Sequence, residues 1–335
     1  MYLYPPTLDS SASFSDEAMK NLMALEKKRK LAENKLLLWL LVPVLWIISL
    51  VIAFSIQSTG VYIFCGIWVF AVLFGIGAFI HVVLPSNEEI SNRYKKIVLP
   101  ELMRLSGING DYSLAHGLKV DSFLKAGLYH ERYSHFERYD SIIAEYSGIK
   151  FGLYELAVQI AKTIGGQMSV GTGMGVPQTS MLTNMFYGWV LHVPVRNFSG
   201  STYIIPVRKT SRETDDWIDE TRKYFEKEKM QKFQTGSSDF DVVYTVYTTA
   251  PMESAALLNP DFRTFLLDAH KLSANAPGFS FTGTRAYMHV GISGAAFDRQ
   301  PRSKIFPANT GPQMERLRFF GWAMKAMYAA GSKKT

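Results

Sequence analysis

The chain has a single cysteine, Cys65, which excludes both an intramolecular disulfide framework and a cysteine-based zinc site. One thiol also fits a reducing compartment. Charge is missing from two long stretches. Residues 36–56 contain no ionisable side chain, and residues 61–84 contain no Asp, Glu, Lys or Arg and one histidine, His81. Acid is scarce at the end of the chain. From Arg299 to Thr335 there are eight Lys/Arg and one acidic residue, Glu315, so this tail alone equals the net charge of +7. No internal repeat is present.

The uncharged stretch 36–56 would span roughly 31 Å as a helix, about the thickness of a bilayer's hydrocarbon core. Only Gln57-Ser58-Thr59-Gly60 separates it from the stretch 61–84. Two such runs joined so tightly predict an antiparallel transmembrane hairpin, each helix satisfying its own backbone. Pro43 predicts a kink in the first span, and Ala71 with Gly75 supplies a small-residue pair for close approach. Lys27, Lys28, Arg29, Lys30 and Lys35 precede the hairpin, and Arg93, Lys95 and Lys96 follow it. The positive-inside rule then places both termini in the cytoplasm. A signal peptide is excluded by the late start and by the second run.

Composition divides the rest. Residues 1–14 read as disordered. Residues 15–35 read as a juxtamembrane helix opening at Ser15-Asp16-Glu17, suited to a membrane surface or a partner. Residues 86–298 mix helix and strand patterns without regular alternation, which predicts an α+β domain. Within it, helices are expected over 91–105 and 121–128. The runs "YDSIIAEYSG" and "IKFGLYELAVQI" predict a hairpin at Ser147-Gly148. A loop is expected over 165–184, and a second hairpin around Asn197–Gly200. Residues 208–232 read as a solvated helix or linker, "DFDVVYTVYTT" as a strand, 252–258 and 260–272 as helices, and "GFSFTGTRAYMHVGI" as strands. Residues 299–335 form a basic tail ending in a helix over 313–330, with Leu317, Phe320, Met324 and Met327 on one side.

Few motifs carry chemistry. His130, Glu131 and His135 suggest a zinc-hydrolase helix, but that chemistry needs histidines at i and i+4. A spacing of five puts them about 140° apart on a helix and on opposite faces of a strand, so no metal is expected. "GTGMGV" at Gly171 departs from both nucleotide-loop patterns. Ser122 and Lys125 match a Ser-x-x-Lys pattern without its companion Lys-Thr-Gly. The sequon at Asn197 is inactive in a cytoplasmic domain, and Asp239 with Asp241 reads as a solvated pair at a strand start. Asp140 and Glu155 are further candidate acids.

The tail, with Arg316, Arg318 and Lys325 beside Phe319, Phe320 and Trp322, suits either a helix packed on the domain or a contact with anionic lipid. Lys27, Lys28, Arg29 and Lys30 are lipid candidates on the same grounds. No nucleic-acid motif accompanies the charge, and no cofactor is expected.

The segments "SNRYKKIVLPELM", "RYDSIIAEYSGIKFGLYELAV" and "FDVVYTVYTTAPMESAALLNPDFRTFL", ahead of "RAYMHVGI", give the chain its likeness to a family. It resembles the bacterial domain of unknown function 3137 family over residues 36–294. Glu155, Ala256, Leu258 and Pro260 fall in the family's frame, and the 165–184 loop reads as an insertion. The resemblance implies a two-span inner-membrane protein with a cytoplasmic α+β domain and no established activity. It also suggests a LemA-type membrane protein as partner. The expected function is a membrane-anchored protein-binding or scaffolding module, monomeric or oligomeric. A membrane-associated hydrolase or transferase, or a lipid sensor, is the alternative.

Overall fold

The structure, a computed structural model, describes residues 14–31, 34, 47–48, 51, 89–114, 117–128, 134–164, 179–207, 216–228, 230–273, 276–291 and 310–332. Among these, no helix is long and apolar enough to cross a membrane. The spans expected at 36–56 and 61–84 lie outside the described residues, apart from Ile47, Ile48 and Val51. So do the N-terminal segment up to residue 13, His130 with Glu131, Gly171 and its neighbours, and the basic stretch 299–309.

The chain divides into two compact units. One comprises Met1–Asp9, Leu102–Ala296 and Pro312–Thr335, the other Ser10–Glu101 and Phe297–Gly311. In the second unit, helix α1 (16–31) opens at Ser15. The Ser15 hydroxyl accepts from the Ala18 N–H at 3.3 Å, as an N-cap does, and donates to Glu101 at 2.6 Å. Ala18, Leu22, Leu25 and Arg29 are buried at helical spacing, while Lys27, Lys28 and Lys30 are exposed. Arg29 pairs with Glu26 at 2.7 Å. Helix α2 (89–105) runs through Pro100.

The first unit is α+β, built on a large antiparallel sheet. Its elements are β1 (Asn109–Leu114), α3 (Val120–Leu124), β2 (His135–Tyr146), β3 (Ile149–Ile164), β4 (Thr179–Pro194), β5 (Ser201–Pro206) and α4 (Asp216–Lys227). There follow β6 (Gln231–Phe233), α5 (Ser238–Asp241), β7 (Tyr244–Thr248), α6 (Pro251–Leu257) and α7 (Pro260–Leu272), then β8 (Gly278–Thr282), β9 (Arg285–Gly291) and α8 (Gly311–Ser332). The nine strands lie in the order β1-β2-β3-β4-β9-β8-β5-β7-β6.

Local chemistry explains the elements that match expectation. Ser147 (φ 54°) and Gly148 (φ 80°) both adopt the left-handed backbone that a two-residue hairpin turn needs. Asn259 caps α7 by accepting from the Phe262 N–H at 3.1 Å, and Pro260 sits where its missing N–H costs nothing.

Three expectations about strand and loop assignment need correction. Residues 179–184, expected to be loop, are the start of β4. Asp239 and Asp241 lie on the short helix α5, with Asp241 accepting from the Thr235 hydroxyl at 2.9 Å, and the strand begins only at Tyr244. Finally, β4 and β5 are not a hairpin, because β9 and β8 are inserted between them. The linking segment crosses the tip of the β8–β9 turn, with the Val195 N–H on Thr284 O at 2.9 Å and the Phe198 N–H on Gly283 O at 2.8 Å. Turn-forming residues at 197–200 serve this crossing as well as they would a hairpin.

Both sheet faces carry apolar cover. On one, α3 and α4 bring Phe123 and Phe225 to Leu156, Val190, Tyr247 and Tyr287. On the other, Phe265 of α7 meets Phe279 at 6.0 Å and Trp322 of α8 at 4.6 Å, and Phe320 of α8 meets Trp189 at 6.0 Å. Residues 216–227, expected as solvated, therefore bury Phe225.

Candidate functional site

The pairing of β2 with β3 is regular from Tyr146↔Ile149 to Ser141↔Tyr154 and resumes at Arg138↔Leu156. Two residues, Tyr139 and Asp140, thus oppose one, Glu155, which is a β-bulge. A regular strand would send Tyr139 and Asp140 to opposite faces. The bulge lets both serve the face that α8 covers. The Tyr139 ring meets Tyr187 edge-on, with centroids 5.8 Å apart and planes at 84°. The Asp140 carboxylate accepts from the Tyr112 hydroxyl at 2.8 Å.

Glu155 lies in the middle of β3 and is 1% exposed, and Asp140 is 0% exposed. The Tyr187 hydroxyl donates to Glu155 Oε1 at 2.8 Å. Each buried acid therefore has a phenolic donor. Burying a carboxylate without one would cost several kcal/mol, on the order of the penalty for an uncompensated ion. Tyr139 is 37% exposed and donates to Glu137 through a short hydrogen bond. Burial, that hydrogen bond, and the charges of Glu137 and Glu155 push its hydroxyl up to about 12. Tyr139 therefore keeps its proton at neutral pH and supplies no base. Glu137 also lies 3.1 Å from His135 Nε2.

Arg316, on the first turns of α8, is exposed. Partial burial lowers its affinity for the proton and the Glu155 carboxylate raises it. Tyr139 and Arg316 thus share one acid as neighbour. Their fellow basic candidates behave differently: Arg318 is buried and pairs with Glu315 at 2.8 Å, and the Lys325 ammonium sits 4.1 Å above the Tyr146 ring. Among the described residues, no three His, Cys, Asp or Glu side chains are grouped to hold a metal ion.

The structure therefore brings together Asp140, Glu155 and Arg316 of the sequence candidates, places His135 at the rim, and turns Arg318 and Lys325 onto protein. Sequence reading missed Tyr112, Glu137, Tyr139 and Tyr187. The one signal in the chain is "HFERYDSIIAEY", where strict alternation slips at Tyr139-Asp140.

Residues 184–328 match the model of a family described as "Protein of unknown function (DUF3137)". Over that stretch the chain is similar to this family. No curated protein and no solved structure matches the chain. The DUF3137 region runs from within β4 to within α8, so it holds Tyr187 and Arg316, with Ala256, Leu258 and Pro260 of the α6–α7 junction. It begins later and ends later than the 36–294 resemblance. Tyr112, Tyr139, Asp140 and Glu155, on β1–β3, precede it, as does the expected hairpin. The candidate site thus joins residues inside the matched stretch to residues upstream of it.

Proposed function

We propose that the chain is a membrane-anchored protein-binding module whose docking patch is the bulge surface of Tyr139, Glu137, His135 and Arg316. The bulge carries this reading. It commits two buried carboxylates to the phenols of Tyr112 and Tyr187, and Tyr187 in turn meets the ring of Tyr139, which presents a third of its surface to solvent and shares Glu155 as a neighbour with the exposed Arg316. Tyrosine and arginine are the side chains that most often dominate protein interfaces, because each combines apolar area with a directed donor. The transmembrane hairpin over 36–84 would hold the patch at the cytoplasmic side of a bacterial inner membrane. The partner is then another membrane-associated protein, with a LemA-type protein as the specific candidate.

A photo-crosslinking residue in place of Tyr139, used in native membranes and followed by mass spectrometry, tests the proposal. The expected result is one recurrent crosslinked protein whose yield falls at least several-fold when Arg316→Glu is added. Absence of any recurrent product overturns the reading. A product formed only between copies of this chain replaces the partner with self-association.

A further inference from the structure

The opposite face of the sheet holds a second polar cluster that the bulge site does not use. One lateral row of residues, Gly152, His192, Tyr287, Ser280 and Tyr203, crosses strands β3, β4, β9, β8 and β5 in register. The rings of His192 and Tyr287 stack with centroids 5.1 Å apart and planes at 21°. Tyr154, two residues along β3, lies over Gly152, where a side chain could not fit: a Cβ there would stand 2.3 Å from the Tyr154 hydroxyl oxygen. The missing side chain brings that hydroxyl beside His192, the register partner of Gly152.

Three polar atoms in this row are buried without a hydrogen-bond partner among the described residues: Tyr287 Oη, Ser280 Oγ and His192 Nε2. Tyr287 and Ser280 are each 0% exposed. Buried donors and acceptors in native proteins are almost always met by protein, water or ligand, so three neighbouring groups unmet by protein mark a place suited to a bound water or ligand. Its sign is set by Arg285, at the exposed start of β9. Among the described residues, Arg285 is the one charged group that acts on Tyr154, His192 and Tyr287 alike, and no carboxylate acts on any of them. It stands beside the Tyr287 hydroxyl without completing a well-formed hydrogen bond. Burial first, and Arg285 second, hold His192 down to about 4, so at neutral pH the imidazole is uncharged.

We infer that Arg285, Tyr287, Tyr154 and His192 form a binding site for the oxyanion group of a small ligand, a carboxylate or a phosphate. A guanidinium presents paired N–H donors matched to two oxygens of such a group. The two phenols add neutral donors, and Ser280 continues the polar floor beneath Tyr287. Because the half-buried His192 and Tyr154 border the exposed Arg285, an oxyanion reaches the guanidinium first and the phenols behind it.

The test uses the purified full chain with inorganic phosphate or acetate as probe, titrated against chloride at constant ionic strength. The readout is thermal unfolding. Phosphate stabilises proteins generally through exclusion from their surface, and that effect is linear and indifferent to one side chain. The expected result is a saturable rise in Tm of a few degrees. Arg285→Gln abolishes it and Tyr287→Phe weakens it several-fold, while Lys232→Gln, an exposed cation at the sheet edge, preserves it. Whichever probe saturates at lower concentration identifies the group. An equal response in Arg285→Gln and wild type, or no saturable component with either probe, overturns the site. If Arg285→Gln fails to fold, the Tyr287→Phe and Lys232→Gln comparison decides: equal saturable responses in the two also overturn it.

Discussion

Asp140 and Glu155 sit in strands where sheet burial normally selects hydrocarbon, and each is retained by a phenol that reaches it from a neighbouring strand. Removing the acid but not the phenol should therefore cost more than neutralising the acid. Asp140→Ala leaves the Tyr112 hydroxyl without this acceptor and is expected to lose about 1–3 kcal/mol in urea unfolding, whereas Asp140→Asn keeps an oxygen for it and should lose less. Equal losses would show that the hydrogen bond contributes nothing. Acid sensitivity is expected from the opposite face. His289, 0% exposed between Phe123 and Phe186, is held down by burial to about 3, and His192 to about 4. Both titrate below the ordinary 6.5, so the unfolded chain takes up protons first as pH falls. Stability is then full above about pH 6.5 and declines toward pH 4. Urea midpoints measured across that window should fall, with a shallower slope in His289→Leu. An unchanged slope would exclude His289 as a cause. Both acids stand out in the sequence as charged residues in apolar strands. Their phenols do not, because Tyr112 and Tyr187 look like any strand aromatics until pairing register is known.

At the scale of elements, what could be read early was whatever short-range chemistry decides. The β2–β3 hairpin is visible in Ser147-Gly148, and α7 in Asn259-Pro260, because turn and cap geometry involve only adjacent residues. The insertion of β8–β9 between β4 and β5 was hidden, since strand order depends on pairings nearly a hundred residues apart. The bulge was only hinted at by the slip in alternation at Tyr139-Asp140, because it is defined by the partner strand's count and not by its own. The turn permits a sharp prediction. Ser147 pays for a positive φ that asparagine tolerates better. Ser147→Asn should stabilise the chain by roughly 0.5 kcal/mol, on the scale of other substitutions that relieve turn strain. A lower urea midpoint would mean that the serine side chain has a role beyond the turn.

For the whole molecule, the proposed anchor decides where the sheet is held, and the chain's composition supplies the means to measure it. Cys65, within the second expected span, is the single thiol. In a hairpin it should resist a membrane-impermeant maleimide in intact spheroplasts and react once detergent is added. In a Cys65→Ser background, Ser58→Cys in the tetrapeptide should be labelled from outside without permeabilisation. Ser15→Cys, ahead of α1, should be labelled only after it. This asymmetry is what the positive-inside rule predicts for the proposed hairpin, with five Lys/Arg ahead of residues 36–56 and three after residues 61–84. Labelling of Ser15→Cys but not Ser58→Cys in intact cells would invert the topology and move the bulge patch to the other side of the membrane. Free labelling of Cys65 in a washed, detergent-free membrane fraction would remove the hairpin itself. An inverted topology would require a partner in another compartment and loss of the hairpin would remove the anchor, while in either case the Asp140 and Glu155 contacts, internal to the sheet unit, would keep their predicted energetics.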